Sequence, residues 1–251
     1  MDRQELTKRH DAGERDFRNA DLTGAKLSEV RLSGASLSRA ELSQSDLFGA
    51  NLFGANLSKA NLLMANPYRA NLSRANLFEA ILSGALLNEA NLGWAQVNAS
   101  LVVATLSQAN MEGAKLEGAE LTGAKLEGAD LRGADLHDAD LRSADLRGAI
   151  LSGASLVEVD LGGAGLRGAY LEGTNLSRAD LTDADLSWTN LNSANLEGAA
   201  LDGANLGFAQ CGEATTWPED FDVPDDMRFV SQGTTAQRAS TASPPASLPE
   251  D

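Results

Sequence analysis

From Phe17 onward a large apolar residue recurs at every fifth position, through Leu22, Leu27 and Leu32 to Val97. One residue is then lost. The next centre, Leu101, follows after four positions, and the new phase runs through Leu106, Met111 and Leu116 to Leu206 and Cys211. Ala stands two residues before nearly every centre, with Asn or Asp between them, as in Ala50-Asn51-Leu52 and Ala129-Asp130-Leu131. An α-helix cannot use this spacing. At about 100° per residue, five residues advance by a net 140° or so, and the leucines would wander round the cylinder. An extended chain can use it, because Ala and Leu two apart point to one side and the intervening Asn or Asp to the other. The two remaining residues must turn a corner. The second is often Gly, as in Leu131-Arg132-Gly133-Ala134, which suits the positive φ of a type II turn.

Short edges that all turn the same way close into coils, and coils stack into a quasi-one-dimensional solenoid lined by Leu and Ala. The tandem A(D/N)LXX pattern, spanning roughly residues 16–212, resembles that of the pentapeptide-repeat proteins, in particular cyanobacterial members. The resemblance implies an all-β fold: a right-handed quadrilateral parallel β-helix with four quintets per coil. About ten coils at ~4.8 Å each give a rod of about 48 Å. Solenoid ends expose unpaired edges and need covers. Residues 1–15 are expected to form an N-terminal cap helix, with Leu6 as its apolar contact and Gly13 as its stop. Residues 213–230 are expected to form a C-terminal cap, with Trp217 and Phe221 over the last coil. The segment 231–251, rich in Ser, Thr, Ala and Pro, is expected to be disordered. Two defects interrupt the tube: Pro67 at a central position, which cannot donate to a ladder, and the lost residue near Asn98, where a tightened corner or small kink is expected.

Charge narrows the function. The formal net charge of −16 disfavours direct binding to nucleic acid or an anionic membrane. It is uneven: residues 16–100 carry seven acids and seven bases, residues 101–212 seventeen acids and seven bases. The single cysteine, Cys211, excludes an internal disulfide and falls at a central position, as a buried filler. The opening residues hold no apolar run and no stretch has transmembrane length, so the expected compartment is the cytoplasm. Gly163-Ala164-Gly165-Leu166-Arg167-Gly168 matches a nucleotide-loop motif, but it lies in the quintet register without the following helix that motif requires. His10 and His137 read as solvated surface residues. The rows of Asp130, Asp135, Asp140 and Asp145 read as a hydrophilic sleeve. No catalytic set, cofactor or metal is expected.

The register also assigns outward positions to faces. One face carries Leu63, Met64, Ile81, Val102 and Val103; the next adds Phe48, Tyr68 and Leu86; the third adds Phe53 and Trp94. The family places Ser, Thr, Arg, Glu or Gly at such sites. A clustered apolar surface marks a contact site, and aromatics and Met are favoured in one. The expected function is a non-enzymatic scaffold or regulator that binds an unidentified protein through this patch on the N-terminal half, as a monomer or end-to-end dimer. The resemblance also implies an alternative, a DNA-mimicking protein that binds gyrase through the acidic C-terminal half.

Overall fold

The computed structural model describes residues 1–230; the tail 231–251, expected to be disordered, lies outside the described residues. From Asp16 to Thr216 one unit repeats. In Asn51–Ala55, Asn51 makes a ladder bridge, Leu52 is buried, Phe53 and Gly54 turn, and the Ala55 amide donates to the Leu52 carbonyl at 2.9 Å to close the turn. The second turn residue has positive φ at every regular corner from Asn19 to Phe208. Seventeen of these corners are glycine and twenty-one are not. Type II geometry imposes this, and only glycine meets it without strain.

The units are tied along the axis. Asn51 donates to Val30 behind it, while Leu52 and Gly54 donate to Asn71 and Ser73 ahead of it, at 2.8–3.0 Å. All bridges are parallel, and in the regular turns the partner lies twenty residues on, so four quintets make one turn of a parallel β-helix. The bridges fall into four lines, one per face. The first passes through eleven residues: Asp16, Ser36, Asn56, Asn76, Gln96, Lys115, Asp135, Ser155, Asn175, Asn195 and Thr216. The second includes Asn61, Ile81 and Ser100, the third Asp46 and Asn66, the fourth Asn51, Asn71 and Asn91. Leu and Ala fill the bore and are almost wholly buried. Where Ser45 and Thr189 replace Ala, the hydroxyls donate to the carbonyls of Leu42 and Leu186, so no polar group is stranded there.

The Asn or Asp of the quintet has a structural duty that the pattern alone does not disclose. In twenty-one quintets its Oδ1 accepts the amide two residues on, as in Phe53 to Asn51 and Arg142 to Asp140. That amide belongs to the first turn residue and has no ladder partner. A short side-chain acceptor one residue before the Leu satisfies it as an Asx turn.

At the start, α1 (Arg3–Asp11) begins at an Asp2 cap whose carboxylate accepts the Glu5 amide at 2.9 Å. Its Leu6 is fully buried against the core. His10 differs from the solvated residue expected: it is buried, its Nε2 lies 3.2 Å from the Ser33 carbonyl, and its ring is tilted over Phe17. Phe17, the first centre, has no preceding coil to cover it, and the imidazole supplies that cover. At the far end β1 (Gln210–Gly212) pairs in parallel with β2 (Arg228–Val230), a strand outside the quintet pattern. Trp217 and Phe221 stack on each other at 5.3 Å and pack against the core. Cys211 is buried, as its central position requires.

Both defects are absorbed locally. Between Trp94 and Val103 no residue has positive φ, and the corner at Asn98 turns one residue short. Bridges there span nineteen residues, as in Ile81 to Ser100, and twenty again from Ser100 to Glu120. Pro67 lacks the amide that would donate to Leu86, and the bridge between Asn66 and Leu86 is missing from the third line. The flanking bonds, Leu86 to Ala65 at 3.0 Å and Arg69 to Asn88 at 3.1 Å, persist. Pro67→Leu restores the repeat residue and its amide. It is expected to stabilise the fold by about 1 kcal/mol, read as a rise in the thermal midpoint.

Candidate functional site

The corner between the second and third faces carries Met64, Gly84, Val103 and Gly123 on successive turns. Met64 and Val103 are 62% and 60% exposed. Each lies across the glycine of the following turn. Met64 Cγ is 3.5 Å, and Val103 Cγ1 3.4 Å, from where a β-carbon would stand. Their φ values are 54° and 51°. For a β-branched residue such as Val103 this is an outlying conformation, and the left-handed region costs about 1–2 kcal/mol. Leu63, Ile81 and Leu86 are exposed beside this corner, and Val102 is half-buried.

On the third face Phe48 and half-buried Tyr68 stack at 5.7 Å, with the Arg69 guanidinium 5.1 Å from the Tyr68 ring. The Tyr68 hydroxyl donates to Glu89, which Arg69 also binds. Phe53 and Trp94 are exposed on the fourth face. With four faces per turn, that face is opposite the one bearing Leu63 and Val102. The register therefore brings six of the ten candidates around one corner, puts Phe48 and Tyr68 at the next corner, between the third and fourth faces, and sets Phe53 and Trp94 apart on the far side. Arg74 lies 6.0 Å from the Phe53 ring there, and the Trp94 indole covers Gly113.

Three exposed aromatics at turn positions of the solenoid lay outside the candidate set. Phe78 projects from the first face; Trp188 and Phe208 stack at 4.7 Å in the C-terminal half. The signal was present: each stands one or two places after a central Leu, and 188 and 208 are twenty apart.

The acidic rows are less free than their formal charge suggests. Asp130, Asp140 and Asp145 are each gripped by the arginine two residues on, through Nε and Nη2. Arg142, aided by its own amide and the Thr122 hydroxyl, holds the Asp140 carboxyl down at about 2 against the opposing effect of burial. His137, Asp138 and Glu158 bring potential ligand atoms within 4.8 Å of one another. Glu158 is already paired with Arg178 at 3.0 Å, and the His137 Nδ1 lies 3.0 Å from the Val157 carbonyl. The nucleotide-loop motif is two turns of the solenoid: Gly163 and Gly168 are corners and Gly165 is a ladder residue. No helix of the described residues is long and apolar enough to cross a membrane.

A family profile described as Pentapeptide repeats (8 copies) matches residues 16–53, 50–88, 68–101, 99–138, 139–178 and 179–210. Among solved structures the chain is similar to HetL, a pentapeptide repeat protein involved in heterocyst differentiation regulation from the cyanobacterium Nostoc sp. strain PCC 7120. The two share 37% identity over 83% of this chain and 96% of that one, with a TM-score of 0.55. The pentapeptide repeat protein alr5209, also from Nostoc PCC 7120, is 44% identical over 40% of this chain and 84% of its own, with a TM-score of 0.40. Trypsin-treated QnrB1, a plasmid-mediated fluoroquinolone resistance protein, shares the fold at 20% identity, over 72% of this chain and 90% of that one, with a TM-score of 0.52. No protein of curated function matches the chain.

Two expectations follow. A β-carbon at Gly113 would stand 2.8 Å from the Trp94 ring, so Gly113→Ala should displace the indole and red-shift its fluorescence. Asp140 titrates below its ordinary value in the folded state, so its interactions stabilise the fold above pH ~4 and are lost as pH falls through about 2. In Arg142→Gln, carbon-detected NMR should find the Asp140 midpoint raised. The stability deficit of that variant at pH 7 should vanish below about pH 2.

Proposed function

We propose that this chain, which belongs to the pentapeptide-repeat family, is a non-enzymatic scaffold or regulator acting by protein contact. Its solenoid is taken as the family's right-handed quadrilateral β-helix of about ten coils, with α1 and residues 213–230 covering the ends. The contact site is the corner built by Met64 and Val103, flanked by Leu63, Ile81, Leu86 and Val102, and extended across the third face to Phe48 and Tyr68 at the next corner. Phe53 and Trp94 join only if the partner reaches round the rod. The observation that carries this reading is the placing of large apolar side chains, well exposed, at corners where glycine fits without strain. The involvement of HetL in heterocyst differentiation regulation supports a regulatory role.

The alternative, a gyrase-binding DNA mimic using the acidic half, has less support. A mimic needs carboxylates presented like phosphates, and three of the four in the row 130–145 are covered by their own arginines. The likeness to QnrB1 extends to the fold alone.

Glycine supplies the test. Met64→Gly and Val103→Gly place at each corner the residue its φ favours, so both variants should match or exceed native stability to within about 1 kcal/mol. In-cell crosslinking and affinity capture should nevertheless recover the partner about tenfold less well from either. Undiminished capture by both glycine variants would remove this corner from the contact. Inhibition of gyrase supercoiling by the native chain, abolished by lysine at Asp135, Asp140 and Asp145, would favour the alternative.

A further inference from the structure

A second exposed aromatic surface lies at the other end of the rod, outside the proposed contact corner. Gly128, Gly148 and Gly168 occupy successive turns of the corner between the third and fourth faces, and the next two turns carry Trp188 and Phe208. The two rings stack at 4.7 Å and 23°, each 46% exposed, with φ of 61° and 59°. Tyr170 is exposed beside them on the fourth face. None of the three fills the bore.

Charge identifies what fits there. Residues 180–230 contain eleven carboxylates and one cation, Arg228. That cation makes no ion pair among the described residues, although Asp225 and Asp226 are its near neighbours in the chain. Its guanidinium lies instead over Trp188, 5.1 Å from the ring centroid. The Asp226 carboxylate lies 3.4 Å from where a β-carbon of Gly207 would stand, immediately before Phe208, and Asp183 lies over Gly203 on the same turn. Aromatic faces set in a negative field attract guanidinium and ammonium groups. The surrounding carboxylates steer cationic partners inward and repel anionic ones.

We propose that this surface docks an arginine- or lysine-bearing segment of a protein partner. The partner's cation takes the position over Trp188 that Arg228 holds in the free chain. The surface is separate from the Met64–Val103 corner and stands or falls independently of it.

The test uses the full chain and a labelled octapeptide alternating arginine with glycine, followed by fluorescence anisotropy at low and high salt. Glutamine–glycine and glutamate–glycine octapeptides serve as comparators. The native chain should bind the arginine peptide saturably and lose it as salt rises, while the comparators should not bind. The double variant Trp188→Gly, Phe208→Gly keeps every carboxylate and puts glycine at two positive-φ corners, so its fold is not at risk. It should bind about tenfold more weakly. Arg228→Ala vacates the ring and should bind severalfold more tightly, while Met64→Gly should bind as the native chain does. Equal affinity of the double glycine variant and the native chain would overturn the proposal. So would concentration-dependent self-association lost in that variant, which would assign the rings to a second copy of the chain.

Discussion

A pentapeptide coil must bend through four corners, each made by two residues, and the second must sit at positive φ. The rest of the structure follows from that constraint. It limits each edge to a bridge residue and its buried neighbour, so no face has an ordinary strand, and the sheets are held by bonds along the axis from one turn to the next. The first turn residue is left without a ladder partner, and Asn or Asp supplies one. Corner side chains are driven outward and lie over the next turn, as Met64 does over Gly84. Each strained non-glycine corner costs about 1–2 kcal/mol, and stacking of identical turns offsets it because every turn adds the same bonds and the same buried leucines.

The bore was legible in the residues because its period is rigid. Leu at every fifth place and Ala two before it specify which side chains go inside, and the loss of one residue at Asn98 appears as a nineteen-residue step in the ladder. The effect of Pro67 was legible for the same reason, since a missing amide removes one bond and no more. Features that depend on neighbouring turns were harder to read. The Asx turn is invisible to a hydrophobic pattern, because Asn and Asp between Ala and Leu look like mere outward polar positions. His10 belongs to a helix outside the repeat, and its burial depends on where that helix lands on Phe17. β2 pairs with β1 across an irregular stretch that carries no period. Of the candidate surface, the side chains were assignable to faces one by one, but the grouping of six around one corner, with Phe48 and Tyr68 at the next and Phe53 and Trp94 apart from both, follows from the turn count.

Net charge gives a poor measure of the charge a partner meets. The quintet spends many of its carboxylates on its own backbone, and arginine two residues on covers several more, holding Asp140 far below its ordinary range. These groups are structural first. The stretch 180–230 differs in kind: arginine no longer follows the Asp of the quintet, and its single cation sits over an indole. The acidity available to a partner is therefore concentrated near the C-terminal end of the rod, beside the only stacked aromatic pair in the second half of the described solenoid.

Corner residues make the two surfaces informative. A side chain at the second turn position adds nothing to the bore and nothing to the ladder beyond its amide, and any residue other than glycine strains the backbone there. Sixteen of the twenty-one non-glycine corners are polar, as solvent alone would dictate; the five apolar ones are Met64, Trp94, Val103, Trp188 and Phe208. The five occupy three of the four corners. Two share one corner with a glycine between them, two stack on successive turns of another, and Trp94, at a third, covers Gly113, where an added β-carbon would displace it. Val103 sharpens the point, since a β-branched residue is the least suited of the five to its φ. A position that weakens the fold and exposes apolar surface to water has no reason within the solenoid, and that is the ground on which both contact surfaces are proposed.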